Sequence, residues 1–145
     1  MKQVEFHSGV GDTVRYACRL LRKAWRQGIA VLVTAPPPTL QALDRELWTF
    51  EAQAFIPHQH IRPGQELDAA LCRTPIWLCA GEAPAPCPKV LLNLGAGMQG
   101  DPQRYERIIE LVSEGTEERQ LARARWRAYE ALGMGITHHA RTEVS

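Results

Sequence analysis

A chain of 145 residues, 45% hydrophobic and 23% charged, has the length of one domain and can bury a core without disulfides or metal. Seventeen Lys+Arg against sixteen Asp+Glu leave a formal charge of +1, which excludes the broad basic field of a general nucleic-acid binder, so any anion recognition must be local. The opening residues lack the apolar stretch of a secretory signal, no run approaches the ~18 apolar residues of a membrane helix, and Cys18, Cys72, Cys79 and Cys87 form no CxxC pair. The expectation is a cytoplasmic protein with reduced thiols.

In chain order, "KQVEFHS" alternates Val4 and Phe6 with polar neighbours and predicts a first strand. "DTVRYACRLLRKAWRQG" predicts a helix with Asp12 as N-cap, Val14, Ala17, Cys18, Leu21, Ala24 and Trp25 inward, and Gly28 as its stop. "IAVLVTA" reads as a strand buried on both faces. The prolines from Pro36 to Pro38 end it, and Leu40, Leu43 and Leu47 give the next helix an inner stripe. From Gln59 to Ala85 the chain is proline-rich and without clean periodicity, so it is expected to be largely loop around the strand "TPIWLCAG". "KVLLNLG" predicts a further strand, and "DPQRYERIIELVSEG" a helix opening at Asp101-Pro102 and closing at Gly115. Thr116 is expected to cap the last helix, with Glu117 and Glu118 well placed against its dipole. Strands alternating with helices predict a single α/β domain over residues 1–145, with a mostly parallel sheet flanked by helices.

The run Gly95 to Gly100, "GAGMQG", matches a dinucleotide fingerprint and follows an apolar strand. Its context argues for a turn instead. The helix expected at Asp101 starts after the last glycine and puts a carboxylate where a pyrophosphate belongs. Two helices in succession would also leave no strand to carry the ribose-binding acid. A nucleotide-binding enzyme using this turn stays as the alternative. His58, His60, Cys72, Cys79 and Cys87 lie within thirty residues, but cysteine spacings of seven and eight lack the close pairs of structural zinc sites. No metal, cofactor or catalytic centre is expected: there is no nucleophile elbow, Walker loop or HExxH, and Glu117 and Glu118 point apart on a helix.

The most unusual stretch is "ERQLARARWRAYEALGMG", with four arginines and two aromatics in eleven positions. Stepping ~100° per residue puts Arg119, Arg123 and Trp126 on one narrow face, Arg127 on its flank, and Leu121, Ala124, Ala128 and Leu132 on the opposite, buried side. Arg125 falls near the core edge and is expected to form an internal ion pair. The face is either a solvated polar surface or a pocket for an anion and an apolar group. A peptide ending in an acidic residue and an aromatic with a free carboxylate would satisfy the latter. Direct nucleic-acid binding is a third reading. In "ELWTFEAQAFIPHQ", Trp48, Phe50, Phe55 and Ile56 form either a partner patch or core under a loop.

Taken together, "MKQVEFHS", "LWTFEAQAFIPH", "KVLLNLG" and above all "RQLARARWRAYEALGMGI" resemble the chi subunit family of the bacterial DNA polymerase III holoenzyme over most of the chain. The resemblance implies a Rossmann-like domain without a working nucleotide site and with two binding tasks. Trp48, Phe55, Pro57 and His58 would meet the psi subunit of the clamp loader, or a repair helicase at the same surface. Arg119, Arg123 and Trp126, with Val112 as apolar wall and Arg127 beside them, would bind the acidic C-terminal tail of single-stranded DNA-binding protein, making any DNA contact indirect. Arg119 and Trp126 stand where the family often has lysine and tyrosine. The loop from Gln59 to Thr74 departs most, and the glycine run is not a family signature.

Overall fold

The computed structural model describes residues 2–49, 56–84 and 87–140. Its elements are β1 (Gln3–Val10), α1 (Thr13–Arg26), β2 (Val31–Thr34), α2 (Pro37–Thr49), β3 (His58–His60), α3 (Ala69–Arg73), β4 (Ile76–Cys79), β5 (Val90–Asn93), a 3-10 turn (Pro102–Arg104), β6 (Arg107–Ser113), α4 (Thr116–Ala131) and β7 (Gly135–Ala140). The strands form one seven-stranded sheet in the order β3-β4-β2-β5-β6-β1-β7, with every pairing parallel. This is the α/β architecture the pattern predicts. Among the described residues no helix is long and apolar enough to cross a membrane.

The first half follows its local signals. Asp12 accepts the Arg15 amide at 3.1 Å and starts α1, and Gly28, at φ +74°, lets the chain turn left-handed after the helix. Ala17, Cys18 and Leu21 are buried against the sheet, joined by Tyr16, while Trp25 stays partly exposed. Burial pushes the Cys18 thiol up to about 12, so it packs as an inert, protonated core group. All four cysteines are free thiols. Alternation along the strands divides the interior into two cores: Val31, Val33, Ile109 and Leu111 face α1 and α2, whereas Leu32, Phe6, Ile108 and Val112 face α4.

Four expectations are corrected. The segment 102–113 is not a helix. Its Asp-Pro start serves only the 3-10 turn, and "RIIELVS" forms a central strand buried from Ile108 to Val112, with Ile108 in register with Leu91 of β5 and Val4 of β1. Residues 135–140, for which no strand was expected, add the parallel edge strand β7. The N-cap of α4 is Gly115, with Thr116 already helical, although Glu117 and Glu118 do occupy the first turn. Finally, α4 buries Ala122, Arg125 and Tyr129, and leaves Leu121, and Leu132 just past its end, 48% and 43% exposed, so its expected leucine and alanine stripe faces outward. The expectation let hydrophobicity choose the face, whereas a buried ion pair chooses it. Within the expected loop, β3 and the short α3 take shape beside β4.

Candidate functional site

The inward face of α4 is fixed by one carboxylate. Glu110, fully buried on β6, takes a hydrogen bond from Arg125 Nε at 3.0 Å on one oxygen. On the other it takes bonds from the Tyr129 hydroxyl at 2.6 Å and Asn93 Nδ2 at 3.2 Å. Burial pushes the Glu110 carboxyl up from the usual range, and Arg125, Tyr129 and Asn93 pull it back. Burial and the adjacent carboxylate push the Tyr129 hydroxyl up, so it remains a donor. Because Arg125 and Tyr129 turn inward, Arg119, Arg123 and Trp126 are carried to the side of α4 that overhangs β1 and β7.

There they line a cleft of about 380 Å³ with Phe6 and Ser8 of β1, Val112 of β6, Ala122 of α4 and His138 of β7. Phe6 and Val112 are buried and form an apolar floor. The indole of Trp126 packs on Phe6, with ring centroids 4.9 Å apart, and meets the His138 ring edge-on at 5.9 Å. His138 Nε2 is 2.6 Å from the Ser8 hydroxyl, which ties the edge strand to β1 at the cleft wall. Arg119 and Arg123 are exposed and engage no ion-pair partner among the described residues. The arrangement is chemically simple: a greasy slot with two uncommitted guanidinium groups, able to hold a carboxylate beside an apolar side chain.

Of the residues singled out in the sequence, Val112, Arg119, Arg123 and Trp126 thus come together, while Arg127 is exposed outside the lining. Phe6, Ser8, Ala122 and His138 were missed. Phe6 was legible as an inward strand position, but only knowledge that β1 lies under α4 makes it a cleft residue. His138 lies on a strand whose sequence, "GITHHA", carries almost no apolar signal.

At the far end of the sheet, Trp48 lies in the last turn of α2 with 61% of its surface exposed. Its ring meets His58 edge-on at 5.7 Å. The His58 side chain is almost wholly buried, with Nδ1 bonded to the Ile56 carbonyl and Nε2 to Asp44, both at 2.7 Å. His58 is therefore a support beneath Trp48. Pro57 beside it is half-buried and Ile56 belongs to the core. Phe50 and Phe55 lie outside the described residues. His60 also turns to Asp44, at 3.8 Å, and among the described residues His58 and His60 do not gather with the cysteines.

The glycine run is followed by a 3-10 turn and a strand rather than by the expected helix. A strand, β6, does follow it, so a missing strand no longer counts against a nucleotide. What counts is the missing helix: only the three-residue turn follows, giving no helix N-terminus to face a pyrophosphate. The loop is closed on itself, with Asn93 bonded through its side chain to both the amide and the carbonyl of Ala96, and the Gly100 amide is taken by Glu82 at 2.9 Å.

Residues 1–137 match the family model described as DNA polymerase III chi subunit, HolC. Over 127 residues the chain is 36% identical to a protein of Pseudomonas aeruginosa named DNA polymerase III subunit chi, an alignment covering 87% of this chain and 84% of that one. It is 22% identical over 130 residues to the Escherichia coli protein of the same name, covering 88% and 85%.

Proposed function

The chain belongs to the family of DNA polymerase III chi subunits, and from that premise we propose that it is a non-catalytic adaptor whose α4 cleft binds the acidic C-terminal tail of single-stranded DNA-binding protein. The observation that carries the reading is the pairing of Arg119 and Arg123 at the rim with the floor of Phe6, Val112 and Trp126. A terminal carboxylate and a neighbouring acidic side chain take the guanidinium groups, and a terminal aromatic fills the slot. A volume of about 380 Å³ suits one such side chain with its carboxylate, at the small end of ligand pockets.

The Trp48 surface serves the second partner, the psi subunit of the clamp loader or a repair helicase. It is a large aromatic held over a buried, doubly bonded histidine, which is how an anchor is kept rigid before binding. One face then holds the protein coating the template strand and the other holds the replication machinery.

Fluorescence anisotropy with a labelled acidic tail peptide and a labelled single-stranded oligonucleotide, each over a salt series, tests the first surface. The expected result is that the peptide binds and the oligonucleotide does not. Oligonucleotide binding with a steep salt dependence and no peptide binding would mean that the arginines read phosphate.

A further inference from the structure

On the face of the sheet opposite the cleft, β1 and β7 bring three ligand-type side chains together. The parallel register pairs His7 with His139, and Glu5 lies two residues before His7, so all three project to the α1 side. One nitrogen or oxygen from each lies within 4.8 Å of the other two. His7 Nε2 stands 3.4 Å from Glu5 Oε1, and the His7 and His139 ring centroids are 4.9 Å apart.

The two inner groups are each held from behind. The Tyr16 hydroxyl on α1 is 2.6 Å from His7 Nδ1; when Nδ1 donates its proton there, Nε2 turns its lone pair toward Glu5 and His139. Arg107 grips the Glu5 carboxylate from Nε at 2.7 Å and Nη2 at 3.1 Å. Partners of this kind orient metal ligands and set the imidazole tautomer. His139 is exposed, which gives an ion a way in. With ligand bonds of about 2.0–2.2 Å, donors around one ion sit roughly 3–3.5 Å apart, so closure needs a shift of about 1 Å by a side chain on the edge strand.

We propose that Glu5, His7 and His139 form a binding site for a divalent transition-metal ion of the zinc, cobalt or nickel type, leaving further coordination positions to solvent. Two imidazoles and one carboxylate select against magnesium and calcium, which demand oxygen ligands. The bound ion would pin β7 to β1 from the face opposite the Ser8–His138 contact.

Chelator-treated full-length protein titrated with cobalt(II), followed by visible absorption, tests this. The expected result is saturable binding of one equivalent with weak bands of nitrogen and oxygen ligation. His139→Ala abolishes it, Tyr16→Phe weakens it about ten- to a hundredfold, and His60→Ala leaves it unchanged. Zinc raises the melting temperature of the wild type and not of His139→Ala. Absence of saturable binding, an intense near-ultraviolet thiolate band, or equal affinity in wild type, His139→Ala and Tyr16→Phe would overturn the proposal.

Discussion

The cleft under α4 and the Trp48 surface at the end of α2 are built on opposite plans. The cleft draws on β1, β6, α4 and β7, so its walls come from both ends of the chain and meet only when the sheet is complete. The Trp48 surface is local, with Asp44, Trp48 and His58 spanning two neighbouring elements. One depends on how a whole helix is rotated, the other on a single exposed ring. Charge also separates them, since the cleft keeps two arginines that are uncommitted among the described residues, while the histidine beneath Trp48 is already bonded to a carboxylate.

If helix rotation governs the cleft, its most sensitive point is a residue that does not line it. Glu110→Ala leaves Arg125 buried without a carboxylate and is expected to cost about 3–5 kcal/mol of folding stability by chemical denaturation. A loss under 1 kcal/mol would show that α4 holds its face by other means. Arg123→Ala acts on the rim alone: tail-peptide affinity falls by roughly 1.5–3 kcal/mol, about ten- to a hundredfold, with partner binding at the Trp48 surface unaffected. Arg123→Lys recovers only part of this, because an ammonium cannot fork. Trp48→Ala reverses the pattern, costing about 2 kcal/mol of binding to the second partner by calorimetry while leaving tail affinity and melting temperature in place. The smallest effect falls on the outward side of α4, where Leu121→Ser should change stability by no more than about 0.5 kcal/mol. A buried leucine stripe would make that substitution severe.

The same contrast explains what could be read from the sequence. From β1 to α2 the local signals agree: Asp12 caps, Gly28 stops, and the Leu40, Leu43 and Leu47 stripe faces the core. Later they conflict. Asp101-Pro102 announces a helix that lasts one turn, and the glutamate within "RIIELVS" disguises a central strand, because Glu110 is buried only by virtue of partners distant in sequence. The expected ion pair of Arg125 is present, yet it also turns the helix face that hydrophobicity alone would have chosen the other way. Arg119, Arg123 and Trp126 were legible together because helical spacing fixes their common side whichever face is buried. Phe6 and His138 were not, since their place in the cleft follows from strand order, which no local pattern encodes.

The central claim is that the tail of single-stranded DNA-binding protein enters the α4 cleft. Its most direct test is a titration of isotope-labelled protein with the unlabelled tail peptide, followed by amide and side-chain NMR. Saturable shifts should concentrate at Phe6, Ser8, Val112, Arg119, Arg123, Trp126 and His138, with Trp48 and His58 undisturbed. Shifts centred on Trp48, or none at the Trp126 indole when the peptide is bound, would contradict it.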